Sequence, residues 1–273
     1  MATNISLSAA ARNSLLSLQG TSSLTERTNS RLSSGLKVAS PVDNAKVFFE
    51  AKALTDRAST LNEKKDAVDQ GISSLSAALE TTESVDALVR QAKGIALSAK
   101  TATGTELTSL VTQYNTVLSQ IDLLVADATY QGLNLVNNST STLTVSFSEK
   151  TTSLLTINAQ RLDTNSLGLD ISSAISFSLS SVIDAAITQL DNAITEIRGA
   201  GKTLGSNVAL LQTRLDFTST YVNTLESGAA KLTLADLTQE GANLVALQTR
   251  QQLGINALAF AGQADQQILA LFR

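Results

Sequence analysis

Apolar side chains recur every three or four residues over most of this chain, a spacing that predicts long helices. From Val47 the series Ala51, Leu54, Ala58, Leu61, Val68, Ile72, Leu75 and Leu79 is interrupted only by Lys65, and Val85, Val89, Ala92 and Ala96 continue it after a small drift of phase. One amphipathic helix over 45–100 is predicted, roughly 80 Å long at about 1.5 Å per residue. A compact chain of this length would be only about 50 Å across, so the pattern predicts a rod. Thr103-Gly104-Thr105-Glu106 has the spacing of a capping box and opens a helix with the stripe Leu107, Leu110, Tyr114, Val117, Ile121, Leu124 and Ala128, ending near Tyr130-Gln131-Gly132. Alternation then replaces the helical period. Leu143, Val145 and Phe147 face Leu155 and Ile157 across a polar turn at Ser148–Ser153, which reads as a small hairpin. Another long stripe runs from Ile183 through Leu190, Ile197, Leu204, Leu211 and Leu225 to Leu232, with a final helix over Asp236–Leu271.

Charge changes the reading of the two ends. Between Met1 and Thr25 the only charged side chain is Arg12, and between Gly241 and Phe272 the only ones are Arg250 and Asp265. Terminal segments ordinarily carry charge that keeps them solvated. In the first forty residues the apolar positions do not collapse to one stripe: Ile5, Ala9 and Leu16 share one side, while Leu15 and Leu18 face another. A helix touched from several sides has this composition. Both ends read as surfaces awaiting a partner, and the chain as a subunit of an assembly.

Composition narrows the chemistry. The 273 residues include no cysteine, no histidine and a single proline, Pro41. Thiolate catalysis and cysteine-held metals are thereby excluded, and the usual acid–base side chain is missing. Scarce proline permits very long helices. A net charge of −4 with no basic cluster argues against nucleic acid, and no apolar run is long enough to span a membrane. Met1-Ala2-Thr3-Asn4 opens no secretory signal, so residues alone read as cytoplasmic. Carboxylate pairs such as Glu80/Glu83 read as solvated helix face, and Gly199-Ala200-Gly201-Lys202-Thr203 lacks the strand and spacing of a phosphate loop. No enzyme, cofactor or metal site is indicated. The predicted class is mainly α: an elongated antiparallel helical bundle or coiled coil with a small β-hairpin-containing insert.

Two segments then carry a specific resemblance. Arg31-Leu32-Ser33-Ser34-Gly35-Leu36-Lys37-Val38-Ala39-Ser40, continued by Pro41-Val42-Asp43-Asn44-Ala45, closely resembles the N-terminal signature of bacterial flagellins. Ala242-Asn243-Leu244, Gln248, Gln251-Gln252-Leu253-Gly254 and Ile268-Leu269-Ala270-Leu271-Phe272-Arg273 resemble the flagellin tail, while Thr129-Tyr130-Gln131-Gly132 stands where the family usually has Phe-Asn-Gly. The resemblance implies a short flagellin lacking large outer domains, a structural subunit that polymerises into the flagellar filament used for swimming. It implies five regions: 1–44 as core helix and connector, 45–133 as the ascending rod, 134–177 as the β/loop insert, 178–232 as the returning rod, and 233–273 as the second core helix. Self-assembly would fall on Ile5, Leu15, Leu16, Leu18, Arg31, Leu32, Gly35, Leu244, Leu247, Gln251, Ile255, Leu258, Leu269, Leu271 and Phe272.

The implied partners are further copies of the chain, sibling flagellins, hook-associated junction and cap proteins, and an export chaperone with its type III apparatus. There is no nucleic acid and no membrane insertion among them. The implied address is extracellular, reached without a cleaved signal peptide, which reverses the cytoplasmic reading. A vertebrate immune receptor reads two arginines and a glutamate in many flagellins. At the matching stretch Arg90 fits, but Ala92 and Lys93 replace the other two, which implies weak recognition. Two alternatives stay open. A hook–filament junction protein has similar terminal helices, although the Arg31–Ser40 match and the absence of a large insert favour the filament. A helical signalling rod would need a membrane anchor or sensory module.

Overall fold

The computed structural model describes residues 9–138, 140–173, 177 and 179–271. The elements in chain order are α1 (Ala9–Ser34), α2 (Pro41–Ala99), α3 (Gly104–Asp127), β1 (Thr129–Tyr130), β2 (Leu133–Asn134), β3 (Thr142–Ser146), β4 (Leu154–Asn158), α4 (Ser180–Thr233) and α5 (Leu237–Leu271). The chain divides into two compact units, one made from Met1–Asp56 with Thr224–Arg273 and the other from Arg57–Asn223. This is the expected helical bundle with a small β insert.

In the unit built from both chain ends, α1 packs along α5. Gly254 of α5 marks a close approach: a Cβ there would lie 3.0 Å from Leu18 Cγ of α1. Thr21 and Thr25 on α1 donate their hydroxyls back to the carbonyls of Ser17 and Thr21, which takes a polar group out of circulation without charge. The segment that carries the N-terminal signature then performs a tight sequence of tasks. Gly35 adopts φ of 71° and donates its N–H to the Arg31 carbonyl at 2.8 Å, the left-handed stop that glycine takes without steric penalty. Leu36 bridges antiparallel to Leu234. Lys37 N–H donates to the Thr233 carbonyl, and Ala235 N–H donates to that of Gly35. The connector is thus a miniature sheet rather than a loose strap.

Two caps restart the helices after it. Asp43 accepts from the N–H groups of Ala39 and Ser40 and from the Ser40 hydroxyl, and these bonds hold its carboxyl below the usual range. Asn44 interrupts α2 with extended backbone (φ −163°, ψ 98°), and its Oδ1 accepts from Val47 N–H at 3.2 Å. Those are the attributes of an N-cap, so the continuous part of α2 begins there. Asp236 does the same for α5, accepting from Thr238 and Gln239 N–H.

The second unit is a three-helix bundle with the hairpins laid on it. Its core takes Val68, Leu75, Val85, Val89, Ala92 and Ala96 from α2, Tyr114, Ile121 and Val125 from α3, and Leu190, Ile197, Leu204 and Leu211 from α4. The predicted stripes therefore do turn inward. Lys93 pairs with Asp191 and Lys100 with Asp184. Lys93 and Lys100, near and just past the end of α2, lie seven residues apart, as do Asp191 and Asp184 on α4 in the opposite chain direction, which fixes α2 and α4 as antiparallel in one register.

β3 and β4 pair antiparallel with Leu143 opposite Ile157 and Val145 opposite Leu155. The hairpin seats on α2 at Gly71, where an added Cβ would lie 2.8 Å from Val145 Cγ2. Arg214 of α4 covers the Phe147 ring at 5.0 Å. Two local expectations change. The helix stop at Tyr130-Gln131-Gly132 is a second hairpin, β1–β2, because Gln131 (φ 49°) and Gly132 (φ 81°) both take positive φ and that geometry matches strand twist. Thr103 has extended N-cap backbone but makes no side-chain capping bond. Lys65 is half-buried and forms no ion pair among the described residues.

Candidate self-assembly surface

The geometry of the terminal helix pair sorts the residues named from sequence into two groups. Leu18, Leu32, Leu244, Gln251 and Leu258 are half-buried and Leu247 is buried, so they belong to the seam between α1 and α5. Leu15, Leu16 and Ile255 are exposed and are available to another molecule. Ile5 and Phe272 lie outside the described residues; α5 includes Leu269 and Leu271, but their side chains lie outside as well.

Three further residues on α5 are more exposed than any of these except Leu16: Val245 at 63%, Leu253 at 62% and Phe260 at 70%. Sequence reasoning missed them because it took Leu237, Leu244, Leu247, Ile255 and Leu258 as the main apolar positions of this helix. The signal was present, since α5 has apolar residues around its whole circumference, and such a helix is ordinarily enclosed. Together with Leu15, Leu16 and Ile255 they leave a nearly uncharged apolar surface exposed. A patch of this kind marks a contact site.

Arg31 and Gly35 serve the pair from within. Arg31 Nη1 donates to Glu240 Oε1 at 2.9 Å, joining α1 to α5. Glu240 is itself only 8% exposed, so this is a largely desolvated ion pair, and its loss would strand a charge. Arg90, Ala92 and Lys93 lie on α2 in the other unit. Arg90 donates to Asp86 at 2.6 Å, and that bond raises the guanidinium pKa further. Ala92 is fully buried, and Lys93 is paired with Asp191.

Comparison with known proteins settles the family. Residues 5–141 match the bacterial flagellin N-terminal helical region and residues 183–272 match the bacterial flagellin C-terminal helical region. The chain belongs to the bacterial flagellins. It is similar to flagellin FljK of Caulobacter vibrioides, at 31% identity over 99% of this chain and 98% of that one. The flagellin of Brucella melitensis is 27% identical, with 99% of each chain covered. A solved structure of a flagellar hook-associated protein from Vibrio parahaemolyticus aligns with 70% of this chain and 100% of its own at a TM-score of 0.59 and 13% identity. At that identity it speaks for the fold alone.

This flagellin is a structural subunit of the extracellular flagellar filament and assembles with copies of itself. Nothing in the comparisons favours the hook-junction alternative. Among the described residues no helix is long and apolar enough to cross a membrane.

Proposed function

We propose that the filament is held together at its centre by the outward faces of the α1–α5 pair. The observation that carries this reading is the exposed set Leu16, Val245, Leu253, Ile255 and Phe260 on the stretches 1–25 and 241–272, which hold almost no charge. Burying each large apolar side chain contributes about 1.5–3 kcal/mol, and few charges need desolvation. In this reading residues 1–44 and 233–273 form the inner core, 45–133 and 178–232 the surrounding rods, and 134–177 the outward insert.

Two substitutions test it. L253S and F260S should leave the monomer's helix content unchanged, because both side chains already face solvent. Seeded filament growth should fall by about tenfold or more for the pair. Growth at the unsubstituted rate would overturn the reading.

Family membership supports the finer partners: an export chaperone, the type III export apparatus without a cleaved signal peptide, the junction proteins and the distal cap. Caulobacter vibrioides has several flagellins similar to this chain, among them FljK, FljM and FljO, which supports filaments mixed with siblings. Ala92, buried, and Lys93, paired with Asp191, support weak reading of this stretch by a receptor that requires a second arginine and a glutamate there.

A further inference from the structure

Between α1 and α5 lies a cleft of about 250 Å³ whose walls carry Arg27, Arg31 and Arg250 over an apolar floor that includes Leu24 and Leu247. Glu240 is the one carboxylate in it, and it is committed to Arg31. Arg27 and Arg250 therefore face the cleft with no ion-pair partner among the described residues. Three guanidiniums meeting one carboxylate in a chain of net charge −4 is a concentration of positive charge against the trend of the molecule. Guanidinium forks match carboxylates bidentately.

We propose that this cleft binds a carboxylate, and that the carboxylate is Glu26 of a second copy of the chain. The inference rests on the reading that the α1–α5 pair is enclosed by neighbouring subunits. In water, two free arginines need nothing. Inside an enclosed core, an uncompensated guanidinium is expensive, so an acid must accompany the enclosure.

The sequence leaves few donors. Glu26 is the only carboxylate in residues 1–40, and Asp265 is the only one in 241–273. Glu26 is exposed and forms no ion pair among the described residues. It precedes Arg27 by one position on the helix, about 100° around its axis, and it is not among the residues lining its own cleft. Each copy thus offers an acid in one direction and a receptor in another. Such a contact is heterologous and propagates as an open chain, the symmetry a filament requires.

The test is a charge-reversal cycle on the full chain, read as the critical concentration for seeded growth. E26R and R250E should each raise it by about tenfold or more. The double variant, which restores opposite charges across the contact, should return to within about threefold of the unsubstituted chain. Normal growth of either single variant would overturn the assignment, as would a double variant as defective as the two losses combined. Normal growth of E26R alongside failure of D265R would make Asp265 the occupant and remove Glu26. Should reversal perturb the monomer by circular dichroism, E26Q and R250Q supply the same cycle; there the double variant should lose no more than either single, and additive losses would overturn the proposal. Failure of the underlying reading has a separate signature, since L253S/F260S would then grow normally.

Discussion

At the scale of the residue, the informative positions are those where packing leaves no slack. Tyr114 is fully buried against Phe177, with ring centroids 5.2 Å apart, and its hydroxyl has no hydrogen-bond partner among the described residues. Burial pushes the phenol up to about 12. A folded-state pKa raised above the unfolded value of about 10 gives stability that is whole below pH 10 and is lost as pH climbs towards 12. Y114F should therefore match or exceed the unsubstituted chain at pH 7, by up to about 1 kcal/mol, and should lose less stability than it does between pH 9 and 12. Denaturant melts at the two pH values check this; a Y114F melt shifted down by several kcal/mol would show a hidden partner.

Asp163 carries the opposite sign. It is only 5% exposed, and burial alone would raise its pKa. The bidentate Arg161 fork and Asn165 Nδ2, all at 2.7 Å, outweigh burial and hold the carboxyl below its usual value. Its contribution is present above about pH 4 and is lost as pH falls through the depressed value. Gly168 closes the same loop so tightly that a Cβ would lie 2.4 Å from the Asp163 carbonyl oxygen. G168A should lower stability by about 2 kcal/mol or more, and thermal melting at neutral pH measures it.

At the scale of the element, the ladder of Lys93–Asp191 and Lys100–Asp184 selects one register for α2 against α4. A slip of seven residues in either direction would break both pairs and form only one in their place, Lys100 with Asp191 or Lys93 with Asp184. Exposed pairs contribute only about 0.2–1 kcal/mol each, so the ladder discriminates between registers more than it stabilises. A double-mutant cycle with K93A and D191A should return a coupling within that range, falling at high salt. A coupling of zero at low salt would contradict the role.

How legible these elements were in the sequence follows from the same physics. The helices were readable because Leu75, Val85, Val89 and Leu204 must reach one core at helical period. The hairpin β3–β4 was readable because Val145 and Ile157 alternate with polar residues. β1–β2 was not, since two adjacent positive-φ residues after a helix resemble an ordinary helix stop. The Asn44 cap depends on a backbone reversal that no apolar pattern announces. Val245, Leu253 and Phe260 were passed over because a helix that is apolar on every side offers no stripe to choose. Arg250 was seen only as an exception to a lack of charge and Arg27 was not singled out, and their convergence depends on how α1 lies against α5.

At the scale of the whole molecule, the unusual fact is what the isolated chain leaves uncovered. The bundle of Arg57–Asn223 has its own core and needs no neighbour to explain its burial. The unit made from the two ends has a seam but also an outward apolar face, and its cleft gathers three arginines around one carboxylate. A free subunit in water should hold that unit less firmly than the bundle, because fewer apolar contacts protect it. Hydrogen exchange on the monomer should be faster in α1 and α5 than in α3, and the difference should vanish in filaments. Equal protection in the monomer would contradict that contrast.

The central claim is that the outward faces of α1 and α5 become the interior of the polymer. A reconstruction of the filament at side-chain resolution tests it most directly. The account predicts Val245, Leu253 and Phe260 enclosed between subunits near the filament axis; finding those three side chains facing solvent, with the subunits joined through the Arg57–Asn223 bundle alone, would contradict it.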